Sequence, residues 1–374
     1  MDTIFMTGAG RSLVRGLLTL LVCMAGGGCE WVKVSPGGGP NDPTARTGHA
    51  MAFDSSQGHV MLFGGVNPSK PTPFNAETWE WNESSQSWVQ QPSAPPALTP
   101  RAFHAMATDT DRHRVVLFGG TDGNNDLDDT WEWDGSTWTQ FAKPTGQVDW
   151  PEGRQNHAMA YDAARKQVVM FGGVNSGNNL PPTDPNHVDR HDLNDTWLWN
   201  GSTWTRGPAA PQALVVRDAH RMAYTGQQQQ QVVLMYGGTQ DVGPFKPLAE
   251  TWQWDGMNWT KLSVAPPPAI IAVAATSFGP VPGVVMFGGY DGYTTYSDDT
   301  VVWDGTQWLM TNFTTKPDKR KDAAMAYDPT TGNLVMFGGV NGSGILGDTW
   351  ELKKKTTAQM IHRGVPIKVP PLPR

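Results

Sequence analysis

Apolar and polar positions alternate in short runs along most of the chain, and Gly, Pro, Asn or Asp closes nearly every run. One stretch reads Arg101-Ala102-Phe103-His104-Ala105-Met106-Ala107, then Val115-Val116-Leu117-Phe118-Gly119-Gly120, then Asp129-Thr130-Trp131-Glu132-Trp133, the pair Asp134-Gly135, and Trp138. Period-two alternation between turn residues predicts short β-strands, and Asp-Gly or Asn-Gly between two such runs predicts a tight hairpin. The pattern returns. An apolar strand ending in an aromatic and a Gly-Gly pair occurs at Phe63, Phe118, Phe171, Tyr236, Phe287 and Phe337, at spacings of 50 to 65 residues.

Four strands per unit and six units predict an all-β fold, a six-bladed β-propeller with four antiparallel strands in each blade. The Gly-Gly pairs followed by spaced aromatics resemble the kelch-repeat family, over Trp31 to Leu352, in the form of an exported, bacterial-type kelch protein. Trp-x-Trp and a further Trp recur in the first four units; the fifth has Trp303 and Trp308, the sixth only Trp350. The sixth unit therefore lacks an outer strand. Trp31-Val32-Lys33-Val34 is similar to Trp259-Thr260-Lys261-Leu262, so the N-terminal strand is expected to complete the last blade and close the ring.

The expected organisation is a signal segment over 1–29, the propeller over 30–352, and a basic, Pro-containing tail over 353–374. Arg11 and Arg15 precede the apolar run Leu17 to Ala25 and the small residues Gly26-Gly27-Gly28, the pattern of a secretory signal. Cys29 after those glycines resembles a bacterial lipoprotein site, although Gly26 stands where that family has Leu; cleavage after Ala25 is the competing reading. Cys23 and Cys29 are the only cysteines, so the body is expected to hold no disulfide and Cys29 no packing role. These features place the chain in a secreted, periplasmic or outer-surface location, lipid-anchored if Cys29 is modified.

Charge narrows the partners. The formal charge is −7; removing +6 for the tail and +1 for residues 1–28 leaves −14 on the body, a surface that repels phosphate backbones. Nucleic acid is thus not an expected partner, and a monomer is the expected state.

In a repeat protein a residue present in every unit belongs first to the unit. Arg46, Arg101, Arg154, Arg217 and Arg320, the carboxylates Glu77, Asp129, Asp195, Glu250, Asp299 and Asp348, and His49, His104, His157 and His220 all recur in this way. They are expected to be ion pairs and hydrogen-bonded histidines of the blades, not a metal site or catalytic cluster. The second–third and blade-to-blade connections, on one face, are long and unequal, and variable loops on a rigid scaffold carry binding. Ligand-binding candidates lie there: His187, Asp189, His191 and Asp192 in the longest insertion, Tyr290, Tyr293 and Tyr296 in the fifth unit, and Trp150, outside the Trp pattern. The His-x3-His spacing permits a divalent cation, but a solvated loop is the reading preferred, and Asp122 to Asp128 lacks the Gly and Glu of a calcium loop. No catalytic residue, metal or cofactor is assigned.

Two classes of function remain. The first is a binding module for a glycan, peptide or protein ligand on the variable-loop face. The second is a secreted carbohydrate-active enzyme on a kelch scaffold. Galactose-oxidase-like copper enzymes need a Tyr–Cys cross-link that the body cannot form. Sialic-acid mutarotases are similar in architecture, which would imply an epimerase; no motif beyond the repeat carries that likeness. The feature that separates the classes is a buried Arg/Glu/His cluster at the loop-face mouth of the channel that breaks the sixfold pattern.

Overall fold

The computed structural model describes residues 28–143, 149–177, 189–227, 230–240, 246–268, 271, 273–277 and 283–355. The chain is a ring of six antiparallel sheets of four main strands. Blade one comprises Ala50–Asp54, His59–Phe63, Thr78–Asn82 and Ser87–Gln90, in that order from the channel outward. Blades two to five repeat this order, starting at Ala105, Ala158, Asp218 and Ala274. Blade six holds Ala324–Asp328, Asn333–Phe337 and Thr349–Lys354, and Cys29–Ser35 pairs with the last of these as the outer strand.

Each blade buries both faces against its neighbours, which is why the second strands read as unbroken apolar runs. Val115-Val116-Leu117-Phe118 and Val168-Val169-Met170-Phe171 are all at most 1 % exposed. Among the described residues the core is divided into six main apolar clusters, each drawn from two adjacent blades.

A polar link accompanies each cluster. The outer-strand Trp indole donates to the Thr that opens the third strand of the preceding blade: Trp88 to Thr349, Trp138 to Thr78, Trp204 to Thr130, Trp259 to Thr196 and Trp308 to Thr251, at 2.8 to 2.9 Å. Trp31 completes the circuit by donating to Thr300 at 3.0 Å. The N-terminal strand thus occupies the outer place in blade six with the same contact as its five counterparts.

Two boundaries move from the sequence expectation. The last strand of blade six continues to Lys354, and Lys353 donates to Glu351 at 2.9 Å, so both lysines belong to the sheet. Cys29 opens the N-terminal strand, is 3 % exposed beside Val285 and Leu352, and is disulfide-bonded. The expectation of no packing role is therefore corrected: pairing with Lys354 carries Cys29 into the core between blades five and six. Cys23, the other cysteine, lies outside the described residues, as do residues 1–27 and 356–374.

Candidate functional site at the channel mouth

The recurring charges are accounted for inside the blades. Arg101, its side chain fully buried, donates to Asp129 at 2.6 and 2.7 Å and to the Gly119 carbonyl at 3.0 Å. Arg154 with Asp195 and Gly172, and Arg320 with Asp348 and Gly338, repeat this arrangement. Arg217 reaches Glu250, and although burial would raise Glu250, bonds from Lys261, Trp252 and Arg217 hold its pKa at about 2. The Gly pair fits the same joint. Gly119 has φ +63°, and a Cβ there would sit 2.7 Å from the Arg154 carbonyl of the next blade. Gly120 donates to that same carbonyl at 2.9 Å. Only glycine permits both the conformation and the approach.

The four histidines are wedges between blades. His49, His104, His157 and His220 meet Phe337, Phe63, Phe118 and Phe171 of the preceding blade edge-on, with ring centroids 5.4 to 5.7 Å apart. Burial, reinforced by the adjacent Arg of each blade, pushes every one below the usual imidazole range, His49 to about 3; contrary to expectation, none of their ring nitrogens has a hydrogen-bond partner. They are neutral packing groups, each ring against a Phe of the preceding blade rather than against another histidine.

Of the residues singled out from the sequence, Trp150 is not a surface aromatic. It is 6 % exposed, donates to the Asp128 carbonyl at 2.9 Å and packs edge-on against Trp199 in the core between blades two and three. Trp150 lies inward because the blade interface accepts a further large ring there. Tyr290 and Tyr296 also serve their own loop: their rings lie 4.9 Å apart, and the Tyr290 hydroxyl donates to the Tyr293 carbonyl at 2.6 Å. Tyr293 alone of the three projects outward, 66 % exposed. Asp189 and His191 are exposed; His191 contacts the Asp189 carbonyl at 2.8 Å and Glu152 at 3.1 Å, which together raise its pKa. Asp192 pairs with Val174 in a two-residue ladder. His187 lies outside the described residues. Among the described residues no group of three His, Cys, Asp or Glu side chains is arranged to hold a metal. Asp122 caps its own turn, accepting from the amides of Asn124 and Asn125 at 2.8 Å.

The site that sequence reasoning missed lies on the channel axis. The inner strands align by register, and Ala50, Ala105, Ala158, Ala274 and Ala324 each stand opposite the aromatic before a Gly pair; in blade four Arg221 takes that place. One residue further on, Met51, Met106, Met159, Met222 and Met325 line the channel, and blade five substitutes Ala275. Blade six places Asp322 at the rim and Ala323 where four blades carry His. These departures fall in three consecutive blades and surround one cavity of about 120 Å³, lined also by Asn156 and Phe103. Its rim residues precede the inner strands, so it opens on the long-loop face.

The rim is held by main-chain bonds passed from blade to blade: Gly48 donates to Asp322, Phe103 to Gly48, Asn156 to Phe103 and Ala219 to Asn156, at 2.7 to 3.3 Å. All five residues have φ between 52° and 63°, a left-handed conformation that costs energy outside glycine and is retained where the surroundings impose it. Within this rim Arg221 makes one hydrogen bond, Nη1 to the His220 carbonyl at 2.9 Å. Burial lowers its pKa, opposed by Asp322 and Asp218. Burial raises Asp322, opposed chiefly by Lys321, whose Nζ lies 3.6 Å from it. Arg221 and Asp322 make no ion pair within 4 Å, although each feels the other's charge. The opposite end of the channel is wider and apolar, about 330 Å³, rimmed by Phe53, Tyr161, Tyr224 and Tyr327.

Six four-stranded blades, the Gly-pair clasp and the Trp–Thr circuit define a kelch-type β-propeller, a class of interaction scaffold. A family model described as "KLHDC2/KLHL20/DRC7 Kelch-repeats domain" matches residues 18–238, and the chain belongs to this kelch-repeat family. It is similar to dynein regulatory complex subunit 7 of Chlamydomonas reinhardtii, 30 % identical over 34 % of this chain and 11 % of that protein. It is also similar to Mei4-dependent protein 6 of Schizosaccharomyces pombe, 26 % identical over 34 % of this chain and 19 % of that protein. The flagellar outer-arm dynein alpha chain of Chlamydomonas reinhardtii is 26 % identical over 79 % of this chain and 7 % of its own length. The matches thus span a small part of each relative.

Proposed function

We propose that this chain is an exported binding propeller that takes a peptide or protein partner on its long-loop face. The observation that carries this reading is the convergence at the mouth on that face of Arg221, Ala275 and Ala323, which depart from the repeat in three consecutive blades, beside the Asp322 carboxylate. A kelch propeller is an interaction scaffold by family, and a relative named as a regulatory-complex subunit is in keeping with a partner-binding role. A photo-crosslinking residue at position 293, on the loop face, should give a discrete adduct with the partner, competed by unlabelled protein. The same residue at position 136, in an exposed hairpin of the other face, should not. Equal labelling from both positions would overturn the assignment of the face.

A glycan is the second reading, favoured by the outward ring of Tyr293, whose flat apolar surface suits stacking on a sugar. Saturable glycan-array binding that is lost in Tyr293→Ala would support it. The carbohydrate-active enzyme is not favoured: an Arg–carboxylate cluster stands where that reading needs one, but the family match is to an interaction repeat. Export rests on the basic, apolar and small-residue order of residues 11–29. The mass of the mature N-terminus would distinguish a lipid on Cys29 from the disulfide.

A further inference from the structure

We propose that the loop-face mouth of the channel is a receptor site for the zwitterionic head group of a free α-amino acid, with its carboxylate on the Arg221 guanidinium and its ammonium on the Asp322 carboxylate. This rests on the same departures at the mouth as the partner reading, and gives the cavity beneath the loops a small ligand of its own.

A guanidinium carries five N–H donors, and Arg221 uses one hydrogen bond, to the His220 carbonyl. Every other inner-strand arginine described above is filled by a carboxylate of its own blade; Arg221 has none within 4 Å. Its position is alanine in the other five blades, so the propeller does not require an arginine there. Arg221 is half-buried, and its remaining donors border the cavity, where a ligand can supply acceptors.

The charges around that cavity select the ligand. Arg221 and Asp322 balance one another. A lone anion on Arg221 would face Asp218 and Asp322, and a lone cation on Asp322 would face Arg221 and Lys321. A group carrying both charges a few atoms apart satisfies each side and leaves the site neutral. The α-amino acid head, a carboxylate and an ammonium on one carbon, is the smallest common group of this kind. Its five heavy atoms suit a cavity of about 120 Å³ with room for some water. Ala275 keeps this space open, because a methionine at that point in the other five blades projects into the same channel. The carboxylate–guanidinium contact can be bidentate, the strongest geometry open to either partner.

The test is calorimetric titration of the full chain with glycine, L-alanine and L-serine, beside acetate and methylammonium as half-ligands. The amino acids should bind saturably at one site, about tenfold or more tighter than either half-ligand, as one extra charge-assisted bond implies. Arg221→Ala and Asp322→Asn should each weaken binding by about tenfold or more, and Ala275→Met should remove it. Arg221→Ala and Ala275→Met install residues that five other blades carry, so both should fold with an unchanged circular dichroism spectrum. Half-ligands that bind as well as glycine, amino-acid binding untouched by these variants, or no saturable binding at tens of millimolar would overturn the proposal. Crosslinking at position 293 in Arg221→Ala reads partner capture separately, so failure of one reading leaves the other visible.

Discussion

Lowering the pH from 7 to 5 should destabilise this propeller severely, through four imidazoles that the ring keeps neutral. His49, His104, His157 and His220 are each at most 6 % exposed. In the unfolded chain each takes up a proton below about pH 6.5. In the folded ring each stays unprotonated, because burial beside an arginine holds its pKa far lower, at about 3 for His49. The unfolded state therefore binds more protons, and stability falls with pH by about 1.4 kcal/mol per unit for each ring. The loss begins near pH 6.5 and runs down to the folded pKa. At pH 5 this amounts to about 2 kcal/mol per histidine, about 8 together. Glu351 acts in the opposite sense. Burial and the neighbouring Glu83 push it up to about 7, so its folded form gains a proton first and returns about 2 kcal/mol over the same interval. The net loss is about 6 kcal/mol, on the scale of a whole domain's stability. Urea midpoints followed by Trp fluorescence at pH 7, 6 and 5 would measure it. His157→Val installs the residue that blade five carries at this position, Val273, and should flatten the net pH slope by about a third. Midpoints that do not move with pH, or a slope unchanged in His157→Val, would refute the reasoning.

Other perturbations test the joints. Deleting residues 29–35 should abolish the cooperative melt seen by calorimetry, whereas ending the chain after Lys355 should leave it nearly unchanged. Trp31→Phe should cost about 1–3 kcal/mol in chemical denaturation, since it leaves the buried Thr300 hydroxyl without its donor. Gly119→Ala should cost about 2 kcal/mol or more in the same assay, because its Cβ meets the Arg154 carbonyl at 2.7 Å in a left-handed conformation. Trp150→Ala should cost about 3–5 kcal/mol while Tyr293→Ala stays within about 0.5, a contrast that checks which aromatic is core and which is surface.

The architecture was legible because each blade must be nearly the same object. Six equivalent interfaces demand six equivalent residues, so Gly pairs, Trp-x-Trp and the opening Thr recur at readable spacing. The outer-strand role of Trp31 followed from the same logic, a missing Trp in blade six matched by a surplus one before blade one. Burial outside the pattern was less legible. Trp150 and Tyr293 are both aromatics in connections, and only the three-dimensional course of each loop turns one inward and the other outward. Cys29 was misplaced in the same way, since pairing with Lys354 is invisible locally. Arg221, Ala275 and Ala323 carried a signal that went unused: each departs from the aligned inner strands, as Ala-to-Arg, Met-to-Ala and His-to-Ala. Position by position these look like drift. Their convergence on one cavity depends on the order of blades around the axis and on which strand is innermost.

The outer strand of blade six also sets the order of events during synthesis. Lys33 pairs with Trp350, so the outer strand waits for a partner made more than 300 residues later. At about 5–20 residues per second, the ribosome needs roughly 15–60 s to supply it. Throughout that interval Trp31 and Val32 have no sheet to join, and the growing array of blades ends in an open edge able to recruit other strands. Until both strands exist, the unpaired edges of such a nascent chain are open to pairing with other chains.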